Sequence, residues 1–208
     1  MKKINIGSGP ISAKGWINYD WGLLPFLGKY RLTSIFVKAV FLPKSYDWKW
    51  PCLELVDIRS EWPVPDSTVD FVFCSQVLEH FNLDEGEEII KQVFRVLKNG
   101  GKLRLSIPDL KKISEFYLEE GKVSETNEIL WGYKKQEYRG ILGKIKLFFV
   151  RGHKWFYDKR SIEELLKNNG FTKIKFFERT KGSVPDLDKL ELKEHEKTSL
   201  YLEAVKSV

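Results

Sequence analysis

Several residues in the first eighty positions have the types and spacing that ligand chemistry needs, each placed just beyond a short apolar run. Gly7-Ser8-Gly9 follows Lys3–Ile6, and glycines there let the backbone turn tightly and approach a bound molecule. Asp20 follows the run Trp16–Tyr19, where its carboxylate is placed to accept hydrogen bonds from the two hydroxyls of a ribose. Asp57-Ile58 closes a third run that starts at Glu54. Ser75-Gln76 follows Val69–Cys74 and leads into Glu79-His80. A second imidazole, His153, stands in Arg151-Gly-His-Lys-Trp-Phe-Tyr157 among aromatics suited to a pocket wall. Either His80 or His153 could take a proton near neutral pH. Glu79 is read as structural and His195, in a charged loop, as solvated.

The elements that must position these groups alternate along the chain. Strand patterns at Lys3–Ile6, Trp16–Tyr19, Glu54–Asp57, Val69–Cys74 and Lys102–Ile107 end on the residues named above or on Pro108-Asp109. Ile89, Val93 and Leu97 recur at helical spacing within Asp84–Lys98, and Asn99-Gly100-Gly101 is expected to end that helix as a left-handed cap. Asp109 is expected to cap a helix over Leu110–Glu120. Ser161-Ile-Glu-Glu164 reads as a capping box for a helix stopping at Gly170. Thr172–Glu178 and Ser199–Val205 alternate like a hairpin-like pair around Gly182 and Pro185. Strands separated by helices predict an α/β fold: a Rossmann-like open sheet, mostly parallel, with an antiparallel C-terminal strand and helices on both faces. In such sheets ligands bind beyond the carboxyl ends of the strands, where these residues stand.

Composition narrows the function classes. The 208 residues are 42% apolar and 31% charged, enough for one buried core across residues 1–208. A formal charge of +6 is spread along the chain and forms no nucleic-acid-binding signature. Cys52 and Cys74 form no CxxC pair and have no histidines at ligand spacing, so no metal site is expected. With no secretory pattern at the start and no apolar run near ~18–20 residues, the expectation is a cytoplasmic protein with reduced thiols.

Taken in order, the motifs resemble the class I S-adenosylmethionine-dependent methyltransferases, and within them the small type 11 group. The resemblance rests on Asn5-Ile-Gly-Ser-Gly9, Gly15-Trp-Ile-Asn-Tyr-Asp20, the block Pro65–His80, Val96-Leu-Lys-Asn-Gly-Gly-Lys-Leu103 and Ile107-Pro-Asp109. It is dense over the first half, and Gly170-Phe171 and Ser199–Val205 also fit. It implies S-adenosylmethionine as cofactor, with Asn5, Gly7, Ser8 and Gly9 in the loop behind its methionine part. It further implies Asp20 on the ribose, Asp57 and Ile58 at the adenine, and Ser75 near the transferred methyl. Two departures stand out. The acidic residue usual at the first motif position is Asn5 here, which cannot pair with the cofactor's positive charge. Only ten residues separate Gly9 from Asp20, too few for a full crossover helix, so the first helix is expected to be short or absent. A dinucleotide site is disfavoured because Ser12 stands where a third glycine belongs. No tyrosine has lysine four places on, which sets aside a short-chain reductase.

Two segments, 21–50 and 129–157, read as insertions that shape an acceptor site. The second carries Lys134, Lys135, Arg139, Lys144, Lys146, Arg151 and Lys154 among apolar residues. Such a lid suits an acidic or lipid-linked acceptor and allows peripheral contact with an anionic membrane surface. The expected activity is O-methylation of a small-molecule or glycan acceptor, with His80 or His153 as base. The alternative is a non-catalytic cofactor-binding sensor or partner subunit. Nothing in the sequence sets the oligomeric state.

Overall fold

A computed structural model of the chain describes residues 1–22, 25–26, 29–30, 51–132 and 152–207. Seven strands form one sheet: β1 (Lys3–Ile6), β2 (Ile17–Asp20), β3 (Glu54–Leu55), β4 (Val69–Ser75), β5 (Leu97–Pro108), β6 (Phe171–Phe177) and β7 (Ser199–Lys206). Their order is β3-β2-β1-β4-β5-β7-β6. The first five run parallel, and β7 is antiparallel to both neighbours. This is the open, mostly parallel sheet that the alternating pattern predicts. The strand order reverses between β1 and β4, which opens a crevice beyond their carboxyl ends.

One face of the sheet presents Ile4, Ile6, Val72, Cys74, Leu103, Leu105, Leu202 and Ala204 to helices α1 (Leu83–Val96) and α4 (Lys159–Asn168). Helix α1 faces inward with Ile89, Ile90, Val93 and Val96, spaced to make one apolar stripe. Its entry is fixed one residue earlier than the apolar pattern suggests, at Leu83 behind the cap Asn82. Asn82 accepts from the Glu85 amide at 2.9 Å, and the Glu85 carboxylate accepts from the Asn82 amide at 3.2 Å, a reciprocal cap contributing about 1 kcal/mol. The helix ends at Val96, not at Asn99-Gly100-Gly101. Pairing of β4 with β5 steps from Val69↔Leu97 to Phe71↔Lys102, so Lys98–Gly101 forms a bulge in the strand, and Gly100 takes φ +78 there. Helix α4 likewise opens one turn earlier than expected. Asp158 is the cap and Ser161 its third helical residue, donating and accepting reciprocally. Asp109 caps α2 (Leu110–Glu120) by accepting from the Lys111 amide at 3.0 Å, as expected, and α3 (Val123–Trp131) packs beside α2.

The opposite face is built differently. Residues 7–16 cross from β1 to β2 in turns with no helix. The place is taken by the connection between β6 and β7, which includes the one-turn helix α5 (Leu187–Leu190). Val184, Leu187 and Leu190 pack on Ala13, Trp16 and Phe73. Asp186 ties the connection to the sheet: its Oδ2 accepts from Lys3 Nζ at 2.9 Å and from Trp16 Nε1 at 3.0 Å. These donors hold the Asp186 carboxyl well below the usual carboxylate range, the Trp16 hydrogen bond first and Lys3 second. A depressed folded pKa stabilises above the unfolded value and is lost as pH falls through the folded one. Asp186→Ala is therefore expected to lower stability by about 1–3 kcal/mol in neutral-pH urea denaturation. The gap to the parent should close as the solution is acidified. A gap independent of pH would assign the loss to packing alone.

Candidate active site

A cleft of about 150 Å³ opens at the carboxyl ends of the central strands, lined by Gly7, Asp20, Trp21, Asp57, Ile58, Gln76, Val77, His80 and Phe81. Five residues singled out in the sequence, Gly7, Asp20, Asp57, Ile58 and His80, thus meet at one place from four successive strand ends. The sheet explains why: each follows a parallel strand, so all emerge on the same edge.

The two glycines differ in what they do. Gly7 has φ +60 and lies against Val77 so closely that a methyl group on it would collide with the valine side chain. Gly9 has φ +51 and open space where a Cβ would be. Its amide donates to Asp20 Oδ2 at 2.7 Å, and the Trp21 amide donates to Oδ1 at 2.7 Å. The Asp20 carboxylate is thereby pinned through both oxygens. Asn5, 2% exposed, lies behind the loop: its amide donates to the Ile11 carbonyl at 3.0 Å and to Asn18 Oδ1 at 3.3 Å. Where an acidic residue would be buried uncompensated, asparagine can donate, and this staples the helix-free crossover. Ser8 is buried, with its amide donating to the Tyr19 carbonyl at 3.2 Å. Asp57 takes a two-pronged contact from Arg59, Nη2 to Oδ2 at 2.7 Å and Nε to Oδ1 at 2.9 Å, and Arg59 reaches on to Glu85 at 3.0 Å. Ile58 is buried beside it.

At the end of β4 the residue reaching the cleft is Gln76, in a left-handed conformation at φ +55. Its amide donates to the Ser106 and Ser199 hydroxyls at 3.2 and 3.0 Å. Ser75 is half-buried in the strand, paired with Ser106 across β5. Of the other cleft residues, Gln76 was singled out beside Ser75 without a role of its own, and Val77 and Phe81 were given none, although both lie within the Pro65–His80 block or beside it.

The two histidines, 73 positions apart in sequence, are brought together by one backbone group. The Glu79 carbonyl, in the short turn Leu78–His80, accepts from the Lys154 amide at 2.7 Å and the Trp155 amide at 3.2 Å. Tyr157 then docks on the end of β5 beside Asp109. This clamps residues 152–157 against the turn. The rings of His80 and His153 meet edge-on at 4.9 Å, and His80 Nδ1 lies 3.4 Å from the Gly152 carbonyl. His153 also packs against Gly132, the left-handed cap of α3, where a Cβ would strike the ring. Burial, and next the neighbouring His80, lower the His153 pKa to about 4, against the pull of the Leu130 and Ile129 carbonyls; the ring is neutral at neutral pH. Beneath them Glu79 is 1% exposed, with neither carboxylate oxygen partnered in the described structure, and burial pushes its pKa up to about 8. Glu79, expected to be merely structural, is the most perturbed carboxylate near the cleft. His195, expected to be solvated, is partly buried in the turn Lys193–His195; burial lowers its pKa, and its charge adds weakly to the lowering at His153.

A family model for the methyltransferase domain matches residues 40–175, more than half of the chain. The chain belongs to the class I S-adenosylmethionine-dependent methyltransferases. It is accordingly an enzyme whose cofactor is S-adenosylmethionine. Searched against curated proteins, the sequence finds no match. Among solved structures it is similar to an S-adenosylmethionine-dependent methyltransferase of Methanosarcina mazei (TM-score 0.55, 19% identity, 100% of this chain and 92% of that one). It is also similar to a possible histamine N-methyltransferase of Thermotoga maritima (TM-score 0.54, 15% identity, 99% and 82%). A third is human N-acetylserotonin methyltransferase in complex with S-adenosylmethionine (TM-score 0.52, 12% identity, 99% and 47%); the chain spans about half the length of that enzyme. At these identities the structures speak to the fold. The family match begins after Asp20, so membership is carried by the later motifs and not by the unusual glycine loop.

The cleft of this methyltransferase suits the cofactor on its own features. Two pinned carboxylates face it from adjacent strands, a buried isoleucine flanks one of them, and Gly9 leaves backbone open to close approach. Most of segments 21–50 and 129–157 lies outside the described residues, including Lys134, Lys135, Arg139, Lys144, Lys146 and Arg151. Of the basic residues singled out in the second segment, Lys154 is described; it is exposed, 3.5 Å from Glu85. Among the described residues no helix is long and apolar enough to cross a membrane.

Proposed function

We propose that this methyltransferase methylates a hydroxyl of a small-molecule or saccharide-type acceptor, with His80 facing the acceptor oxygen. The observation that carries the reading is the imidazole of His80 on the wall of the cofactor cleft, backed edge-on by His153. When bound, the cofactor supplies an electrophilic methyl group on a sulfonium, transferred by in-line displacement. The chain's own work is to hold, align and move a proton. Asp20, fixed by the Gly9 and Trp21 amides, is proposed to accept from the ribose hydroxyls. Asp57, fixed by Arg59, and Ile58 are proposed to flank the adenine. Gly7, Ser8 and Gly9 form the loop at the methionine part, which Asn5 holds in shape from behind. Ser75 and its neighbour Gln76 are proposed to lie near the transferred methyl.

A hydroxyl must lose its proton as the new bond forms, and an imidazole is suited to receive it. His80 is proposed as the acceptor of that proton and His153 as the neutral ring that orients it. Segments 21–50 and 129–157 are proposed to shape the acceptor site within one domain, the basic residues of the second favouring an acidic or lipid-linked acceptor. Turnover to S-adenosylhomocysteine with a panel of hydroxyl acceptors, saccharides included, tests this. His80→Ala is expected to lower kcat about 10²–10⁴-fold with cofactor binding retained. His153→Ala should lower it less. Unchanged turnover in the double variant at saturating acceptor, or a methyl group found on nitrogen or carbon, would overturn the reading.

A further inference from the structure

The cluster under the cleft wall has a composition that proton transfer does not use up. Glu79, His80 and His153 each offer one ligand atom, and all three atoms lie within 4.8 Å of one another. Two independent features mark this as a built site and not a chance gathering. Among the described residues both Glu79 carboxylate oxygens are buried without a hydrogen-bond partner, and so are His153 Nδ1 and the Tyr157 hydroxyl, which Glu79 influences electrostatically. Buried polar atoms are nearly always satisfied, so unpartnered atoms gathered beside the two imidazoles call for a further ligand, and a cation would satisfy Glu79 and His153 together. The surroundings of His80 also match what metal-bound imidazoles use: the Gly152 carbonyl lies 3.4 Å from its Nδ1. Backbone carbonyls in that role fix the ring orientation and tautomer of ligating histidines.

We infer that Glu79, His80 and His153 form a binding site for one divalent transition-metal cation of the zinc class, at the His80 edge of the cofactor cleft. Two imidazole nitrogens and one carboxylate oxygen are borderline ligands, which favour zinc or cobalt over magnesium or calcium with their all-oxygen shells. Three protein ligands leave a tetrahedral ion one position open, the arrangement of catalytic and not structural sites. The sequence hides the set because His153 is distant from Glu79-His80 in the chain and is brought to them by the Glu79 carbonyl clamp. The site goes beyond the functional reading: it requires neither an acceptor nor methyl transfer. An ion here takes up the His80 lone pair that the functional reading gives to the proton, so the two roles belong to the metal-loaded and the metal-free chain respectively, and metal loading and turnover are measured separately.

The full chain, treated with a chelator and titrated with Co²⁺, is expected to develop visible absorption that saturates at one ion per chain and is displaced by Zn²⁺. Glu79→Gln and His153→Asn should each weaken Co²⁺ binding at least about 100-fold while still binding S-adenosylhomocysteine. If the variant at buried Glu79 or that at His153 fails to fold, His80→Asn, at the partly exposed cleft wall, supplies the same comparison. Absence of a saturable spectrum, or a spectrum unchanged in the folded variants, would overturn the inference. Failure of the functional reading would show differently, as intact metal binding without an O-methylated product.

Discussion

Arg104→Leu is expected to destabilise the protein by about 3–5 kcal/mol, a large share of the ~5–15 kcal/mol that holds a domain folded. Arg104 is fully buried on β5, where its Nε donates to Glu191 Oε1 at 2.6 Å and its Nη1 to the Lys181 carbonyl at 2.9 Å. Its guanidinium also lies over the rings of Phe177 and Tyr201. Glu191 in turn accepts from the Thr180 amide at 2.6 Å. Removing the arginine leaves Glu191 buried with its cation gone, which is why the cost exceeds that of a lost surface pair. The consequence reaches function because this pair anchors the β6–β7 connection, which fills the place of the missing first helix and supports the β1–β2 crossover behind Gly9. Denaturant unfolding checks the stability. The double variant Arg104→Met with Glu191→Leu should recover most of the loss, since no lone charge remains. A loss below about 1 kcal/mol in the single variant would show that the charge is reached by water.

Gly7→Ala is expected to cost about 2–5 kcal/mol and to abolish cofactor binding, while Gly9→Ala costs about 1–2 kcal/mol. Both positions have positive φ, so each substitution carries left-handed strain. Only Gly7 adds a collision, with Val77 on the facing wall of the cleft, and overpacking of that kind costs about 1–3 kcal/mol more. Thermal unfolding and calorimetric titration with S-adenosylhomocysteine separate the two effects. Val77→Ala introduced into Gly7→Ala should restore part of the stability by removing the collision. Equal losses at the two glycines would mean that backbone strain alone sets the cost.

Both results depend on features the sequence shows unequally. Gly7 and Gly9 are visible as turn glycines in a strand-to-loop motif, but their difference depends on Val77, seventy residues away. Arg104 gives no signal at all, being one basic residue in a strand whose neighbours are apolar. Its partner Glu191 lies in a polar connection that reads as an exposed loop. The short spacing between Gly9 and Asp20 does disclose the missing helix, but not what replaces it.

Seven strands, their mostly parallel arrangement and the edge where ligands gather were determined by the sequence itself. Alternation of apolar runs with helical periodicity leaves few ways to bury them, and each parallel run ends on a glycine, a carboxylate or, after Val69–Cys74, a serine and glutamine that the sheet delivers to one side. The helix starts were legible to within one turn, because more than one nearby side chain could satisfy an orphan amide: Asp158 caps α4 where Ser161 was expected. What only the tertiary structure decided is which distant groups meet. Burial brings Glu79 beneath His80, the Glu79 carbonyl draws in His153, and Val184, Leu187 and Leu190 cover the face that a helix would have covered. These contacts join residues far apart in the chain through backbone hydrogen bonds and shared burial. Such interactions depend on where the fold places a group and not on which residue stands beside it in sequence. So the cofactor side of the cleft, made of strand ends, could be read in advance, and the histidine side, made by a clamp between two loops, could not.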